Sequence, residues 1–226
     1  MCSVLIMEPN YQQRLCQQCE QRGLTLAETQ LQHLLQYLEL LLRWRSHLNL
    51  TGLRDAERII DVLIAESLDF FQGGFLVPGM RVLDLGTGAG VPGIPLAICS
   101  VGLHFTLLDR SEKKITFLRR VISLLRLEHC QPCCSTAADL ARALTPTQRF
   151  DAVVSRGVGH IASLLRLAVP LLRPGGTLLV RKPLHTSELQ EAGPLLAAAT
   201  WGEVQTIPLL PAMSSPWGLL AIPRLG

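Results

Sequence analysis

The sequence predicts an α/β fold, a doubly wound and mainly parallel sheet of seven strands preceded by a helical segment. Three observations carry this. Val82–Gly93 reads as an apolar strand, a glycine-rich loop and the start of a helix. From Arg81 onward, apolar strand runs alternate with helical stripes, the pattern of a parallel sheet covered on both faces. Before that, leucines recur at helical spacing. With 226 residues the chain can build one sizeable core and an appendage. We divide it at a Gly/Pro cluster (Gly73, Gly74, Pro78, Gly79) into a helical segment, 1–74, and an α/β unit, 75–226.

In chain order, a polar helix is expected over Tyr11–Arg22, ended by Gly23. Thr25-Leu-Ala-Glu28 reads as a capping box before a helix striped by Leu31, Leu34, Leu35, Leu38 and Leu42. A third helix covers Asp55–Phe71. Strand Val82–Leu85 leads through Gly86, Gly88 and Gly90 to Pro92, suited to a first helical turn. Leu103–Leu108 is a strand ending at Asp109, and Ser111 caps a helix running to Leu127. Cys130–Ser135 is a short strand, Ala137–Leu144 a helix and Phe150–Ser155 a strand. Ile161–Leu172 is a helix stopped by Pro174-Gly175-Gly176, followed by strand Thr177–Arg181 and helix Ser187–Ala199. Trp201–Pro208 and Trp217–Ile222 have no helix between them, which suits an antiparallel pair at a sheet edge.

Ligands in such sheets bind at the carboxyl ends of the strands. That rim carries Gly86–Gly90, Asp109, Ala137–Asp139 and Ser155–Arg156. Two cofactor readings fit the loop. Gly88-Ala-Gly90-Val-Pro-Gly93 satisfies the dinucleotide pattern G-x-G-x-x-G. Asp84 followed by Gly86-Thr87-Gly88-Ala-Gly90 fits an S-adenosylmethionine loop better, because a carboxylate there can meet the ligand's ammonium group. Asp109, on the following strand, can accept both ribose hydroxyls; its plain reading is a strand end or helix cap.

The net charge of +3 permits a nucleic-acid partner if the positives cluster. Arg43, Arg45, Arg54 and Arg58 gather near the end of the helical segment, and Lys113, Lys114, Arg119, Arg120 and Arg126 lie on one helix. A phosphate footprint and solvated helix faces explain them equally well. No apolar run is long enough for a membrane span, and Met1–Asn10 has no signal-peptide pattern, so a cytoplasmic location is expected. The seven cysteines include two C-x-x-C pairs, Cys16/Cys19 and Cys130/Cys133, but these lie far apart and the first falls on a helix. Reduced thiols and no metal are expected. The scattered histidines offer no catalytic dyad.

These pieces together resemble a Rossmann-like class I S-adenosylmethionine-dependent methyltransferase, and more narrowly the bacterial 16S ribosomal RNA guanine-N7 methyltransferases of the RsmG/GidB type. The matching motifs are Asn49-Leu-Thr51, L-D-L-G-T-G-A-G-V-P-G-I-P at Leu83–Pro95, L-L-D-R-S-E-K-K at Leu107–Lys114, F-D-A-V-V-S-R-G at Phe150–Gly157, L-L-R-P-G-G at Leu171–Gly176, and Lys182. The resemblance implies that Gly86 and Val91 border the cofactor, that Asp109 holds its ribose, and that Ala137-Ala138 frames its adenine. It places Arg156 between cofactor and substrate. Three departures stand out. Ala138 occupies a place where the family carries an acid, with Asp139 one position later. Val62-Leu63 stands for an Arg-His pair, of whose motif Glu66-Ser67-Leu68 survives. Pro183 follows Lys182 in place of glycine.

Guanine N7 has a free lone pair and no proton to lose, so methyl transfer there needs positioning and no general base. Arg156 is the polar group best placed for a phosphate, an O6 or a cofactor-carboxylate contact; its plain reading is a structural salt bridge. Lys182, Lys113 and Lys114 are candidate phosphate contacts, and Asn49 a base contact or a helix cap. The expected partner is ribosomal RNA or the small ribosomal subunit, met by a monomer. The alternatives are a methyltransferase acting on another RNA, a small molecule or a protein; a nicotinamide-dependent dehydrogenase; and an RNA-binding module with a dead cofactor loop.

Overall fold

The computed structural model describes residues 9–48, 50–157, 159–184, 186–198, 200–209 and 216–226. Two helices open it, α1 (Pro9–Glu20) and α2 (Glu28–Leu48). Thr25 does not cap α2. The chain stays outside the helix through Ala27, whose N–H donates to Oε1 of Gln30 at 2.9 Å, so the reciprocal half of a cap forms two residues later than the sequence pattern suggests. Leu26, within this stretch, packs against the core.

The third helix is not uniform. It runs as α3 (Ala56–Arg58), a π-helical segment (Ile59–Ile64) and a 3-10 segment (Ala65–Phe71). Asp55 caps its start by accepting from the Glu57 N–H. In a 3-10 helix, side chains three apart stack on one face. Glu66 and Asp69 therefore point the same way, toward the sheet's arginines.

The sheet has seven strands in the order β3-β2-β1-β4-β5-β7-β6. They are β1 (Arg81–Leu85), β2 (His104–Asp109), β3 (Cys130–Cys134), β4 (Phe150–Arg156), β5 (Leu172–Pro183), β6 (Gln205–Pro208) and β7 (Trp217–Pro223). The first five pair in parallel; β7 is antiparallel to both β5 and β6, the edge pair expected from the sequence. Between the strands run α4 (Gly93–Cys99), α5 (Glu112–Leu125), α6 (Ala137–Ala143) and α7 (Ile161–Ala168), with the short α8 (Glu188–Glu191) and α9 (Gly193–Leu196) before β6. The helix expected over Ile161–Leu172 is shorter, because Leu172 already pairs with Phe150 and β5 carries the Pro-Gly-Gly turn within it. The helix expected over Ser187–Ala199 breaks at Ala192, followed by Gly193 and Pro194. Only Gln205–Pro208 of the expected strand Trp201–Pro208 joins the sheet; Trp201 makes an isolated bridge to Arg224.

Two cores cover the sheet. One joins the buried leucines of α2 to α4, α5 and one face of β1 and β2; the other packs α7 against the opposite face. Among the described residues no helix is long and apolar enough to cross a membrane. Gly93, the first residue of α4, marks a close helix–strand approach. A Cβ there would lie 2.3 Å from Leu107 Cδ2 and 2.7 Å from Asp84 Oδ2. Gly93→Ala is therefore expected to destabilise the protein by about 1–3 kcal/mol in urea unfolding, the cost of overpacking a filled core. A change under about 0.5 kcal/mol would show that α4 shifts freely.

Candidate cofactor loop and adjoining ionic cavity

Beyond β1 the chain turns away from the sheet. Gly86 and Thr87 both donate backbone N–H bonds to the Leu108 carbonyl, at 3.0 and 2.9 Å, tying the loop to the end of β2. Gly88 has φ +59°, and a Cβ there would meet only open space, its nearest neighbour being Gly86 O at 3.9 Å. That is a backbone conformation suited to glycine, at a point where a Cβ would meet no side chain. The Gly88 N–H donates to Asp109 Oδ2 at 3.0 Å, while Asp109 Oδ1 accepts from Ser111 N at 2.9 Å. Lys114 Nζ stands 3.8 Å from Asp109, and Lys113, beside it at the start of α5, is exposed. Val91 is half-buried at the back of the loop.

The helical segment supports the loop from behind. Tyr37 of α2 is fully buried, and its hydroxyl donates to the Ala89 carbonyl at 2.8 Å. Burial pushes the phenol's pKa far up, so it stays a donor.

Asp84 is completely buried beneath the loop. Its Oδ2 accepts from the Thr87 hydroxyl at 2.6 Å and from the Gly93 N–H at 2.8 Å, while Oδ1 has no partner. Burial pushes this carboxyl up to about 7, against the lowering effect of the two bonds and with a smaller push from Asp109. An acceptor orphaned in this way suits a cationic ligand group, such as an ammonium.

The second half of the rim is ionic. Asp84 pairs with Val154 in the sheet and the Ser155 hydroxyl donates to the Leu85 carbonyl at 3.2 Å, so the loop and Arg156 follow the ends of neighbouring strands. Arg156 Nη2 donates to Glu66 Oε2 at 2.7 Å, and Nη1 is buried without a partner. Burial lowers Arg156 to about 10, with Glu66 opposing, so the guanidinium is charged at neutral pH. Burial raises Glu66, and Arg181 and Arg156 pull it back. Arg181, next to Arg156 across the β4–β5 pair, reaches Glu66 Oε2 at 3.1 Å and Asp69 Oδ2 at 2.9 Å. Arg22 closes the network on Asp69 Oδ1 at 2.9 Å. Three arginines thus meet two carboxylates. A cavity of about 500 Å³ opens beside them, walled by Val62, Lys182 and Trp217; the Trp217 ring lies 4.8 Å from the Arg181 guanidinium carbon.

The structure brings Asp84, Gly86, Thr87, Gly88, Gly90 and Asp109 into one loop cluster, with Arg156 alongside. Ala137 and Ala138 begin α6 at the end of β3, on the same rim. Asp139 is exposed and serves as a cap partner: it accepts from the Thr136 hydroxyl at 2.6 Å and pairs with Arg142. Lys182 Nζ is already engaged, by Glu188 at 2.8 Å and Gly159 O at 2.8 Å. Asn49 lies outside the described residues; Thr51 accepts from Leu53 N in a local turn. The sequence reading missed Tyr37, Asp69, Arg22 and Arg181. A trace existed for Asp69: two acids three apart, at 66 and 69, within an otherwise apolar helical stretch.

Comparison with known proteins fits this geometry. The family model described as GidB, rRNA small subunit methyltransferase G, matches residues 30–211. A Lachnoclostridium phytofermentans protein named ribosomal RNA small subunit methyltransferase G is 38% identical over 171 residues, 75% of this chain and 71% of that protein. A protein of the same name from Deinococcus deserti is 35% identical over 209 residues, 90% of this chain and 85% of its own length. Among solved structures, ribosomal protein L11 methylase from Lactobacillus delbrueckii subsp. bulgaricus aligns with a TM-score of 0.54 at 16% identity. That match covers 74% of this chain and 80% of the other, and it is a likeness of fold.

Asp84 provides a pH signature. Its folded pKa of about 7 lies above the ordinary 3.8, so between these values the folded state binds a proton that the unfolded chain has lost. Its contribution to stability is fully present below about pH 4 and is lost as pH rises to about 7. In urea unfolding without ligand, Asp84→Asn is expected to flatten the stability profile across that window relative to the parent. Parallel profiles would show that Asp84 is ionised in the folded protein throughout.

Proposed function

We propose, from the premise that this chain belongs to the GidB family, rRNA small subunit methyltransferase G, that it transfers a methyl group from S-adenosylmethionine to N7 of a guanosine in small-subunit ribosomal RNA. The observation that carries this is the pairing of β1 with β4, which puts the start of the glycine loop and Arg156 at the ends of neighbouring strands, with Arg156 walling an ionic cavity. Bound there, S-adenosylmethionine would supply a methyl group made electrophilic by its sulfonium. The residues fit it. Asp84 Oδ1 is free to accept from its ammonium, and Gly88 leaves room for close backbone approach. Asp109 accepts one backbone N–H on each oxygen and keeps lone pairs on both for the ribose hydroxyls. Val91 and the backbone of Ala137-Ala138 border the nucleoside on either side of Asp109.

Arg156 is the catalytic residue in this reading, holding the acceptor base against the cofactor. Its charge is permanent and its position is fixed by Glu66. Because N7 carries no proton, nothing in the cavity has to act as a base, and catalysis reduces to bringing the nitrogen within about 3–3.5 Å of the methyl carbon in line with the sulfur. Lys113 and Lys114 flank the loop as phosphate contacts for RNA; Lys182 contributes once Glu188 releases it. The protein acts in the cytoplasm as a monomer on ribosomal RNA or the small subunit.

Mass spectrometry of ribosomal RNA nucleosides from cells with and without the protein tests the reaction: 7-methylguanosine is expected only with it, and its presence in both would reject the assignment. Asp109→Ala should weaken S-adenosylmethionine binding by about 1–3 kcal/mol in calorimetry, the worth of charge-assisted hydrogen bonds. Unchanged affinity would remove Asp109 from the ribose. Arg156→Ala should abolish methylation with far-UV dichroism retained, because Glu66 still keeps Arg181; full activity would remove Arg156 from the site.

A further inference from the structure

The ionic cavity has a polarity that the proposed reaction does not by itself require. Both cations on Glu66 meet the same oxygen, Oε2, at 2.7 Å from Arg156 and 3.1 Å from Arg181. Among the described residues, Oε1 makes no hydrogen bond, and the Glu66 side chain is partly open, at 24% exposure. On the other side of the pair, Arg156 Nη1 is buried with its N–H groups unused. Glu66 and Arg156 both wall the cavity. The pair therefore brings to it an acceptor oxygen that makes no hydrogen bond and, beneath the surface, a donor without a partner, linked through one ion pair.

We infer that Glu66 is the residue that selects guanine, its Oε1 accepting from N1–H of the acceptor base while Arg156 Nη1 donates to O6. This rests on the reading of the protein as a guanine-N7 methyltransferase and goes beyond it. Guanine carries an acceptor, O6, next to a donor, N1–H. Adenine carries the reverse, an N6 amino group next to the bare N1. An adenine in the same pose would set donor against donor and acceptor against acceptor, leaving buried polar groups unpaired on both sides. That mismatch is the strongest form of discrimination a pocket can make. The alignment also leaves N7 unengaged, on the side of O6 away from N1, where the methyl group must arrive. The cavity's volume of about 500 Å³ falls in the range of small-molecule sites. Trp217 adds an aromatic wall on which an unstacked base can lie, steadied by Arg181. Val62 contributes an apolar wall, so Glu66 and Arg156 are left to read the base edge.

The test uses the full-length protein and small-subunit RNA in which the mapped acceptor guanosine is replaced by inosine or by 2-aminopurine riboside. Inosine keeps O6, N1–H and N7 and lacks only the 2-amino group. 2-Aminopurine keeps N7 and the 2-amino group but has neither O6 nor N1–H. The wild type should methylate inosine within about threefold of guanosine and lose about 100-fold or more in kcat/KM on 2-aminopurine. Glu66→Gln should lose about 10- to 100-fold on guanosine, mainly in KM, and narrow the guanosine to 2-aminopurine ratio, with S-adenosylmethionine affinity within about twofold. A wild type that methylates guanosine and 2-aminopurine equally overturns the inference and leaves the reaction standing. A Glu66→Gln protein that keeps the full ratio overturns it as well. A wild type inactive on guanosine RNA overturns the underlying reading instead. If Glu66→Gln fails to fold, Glu66→Asp serves: the shortened carboxylate should raise KM for guanosine RNA about threefold or more, and an unchanged KM overturns the inference.

Discussion

The buried carboxylate of Asp69 is the constraint on which most of this molecule turns. It is 1% exposed, and a charge so placed is tolerable only when paired and hydrogen-bonded. Arg22 reaches it from the turn after α1 and Arg181 from β5, each through Nε at 2.9 Å. One side chain thus clamps the first helix, the third helical run and the centre of the sheet. Removing one partner from such a cluster strands the others, at a cost of about 3–5 kcal/mol. The 3-10 winding of Ala65–Phe71 carries Glu66 on the same face, so the clamp also sets where Arg156 stands. The scaffold and the cavity share one electrostatic device.

The glycine loop rests on a second buried acid. Asp84 ties the Thr87 hydroxyl and the Gly93 N–H to one of its oxygens, joining the end of β1, the loop and the start of α4. Burial makes its charge costly, and its other oxygen is left without a partner. The loop's shape is therefore set before any ligand arrives, while its electrostatics are left unfinished. Tyr37 reinforces the same loop from the helical segment through the Ala89 carbonyl.

Much of this was legible from residue patterns, and the failures have physical reasons. The parallel strands and their order of appearance follow from apolar runs bounded by glycine and proline, because strands buried on both faces leave little choice of composition. The antiparallel end was readable from two strands with no helix between them. Asp84, Asp109 and the glycines announced themselves through local spacing. Helix limits did not: Leu172 was claimed by a strand partner, and α2 starts at Glu28, after Ala27 rather than after Thr25, with Leu26 packed on the core ahead of it. The ion cluster was illegible for a different reason. Arg22, Glu66, Asp69, Arg156 and Arg181 are scattered in sequence, and only the sheet register and a change of helical winding bring them together. Val62-Leu63, a departure from the family pattern when read as sequence, falls in the π-helical segment, where Val62 supplies wall rather than charge.

The shared core of α2 has a bearing on how the chain comes into being. Leu31, Leu34, Leu38 and Leu41 are covered by α4, α5 and the third helical run, all of which lie later in the sequence. As the polypeptide emerges from the ribosome, α2 carries an oily stripe with only the short α1 ahead of it to lay it against. Those leucines stay open to chaperones, or to other nascent chains, until some eighty further residues have followed, a delay of several seconds at roughly 5–20 residues per second.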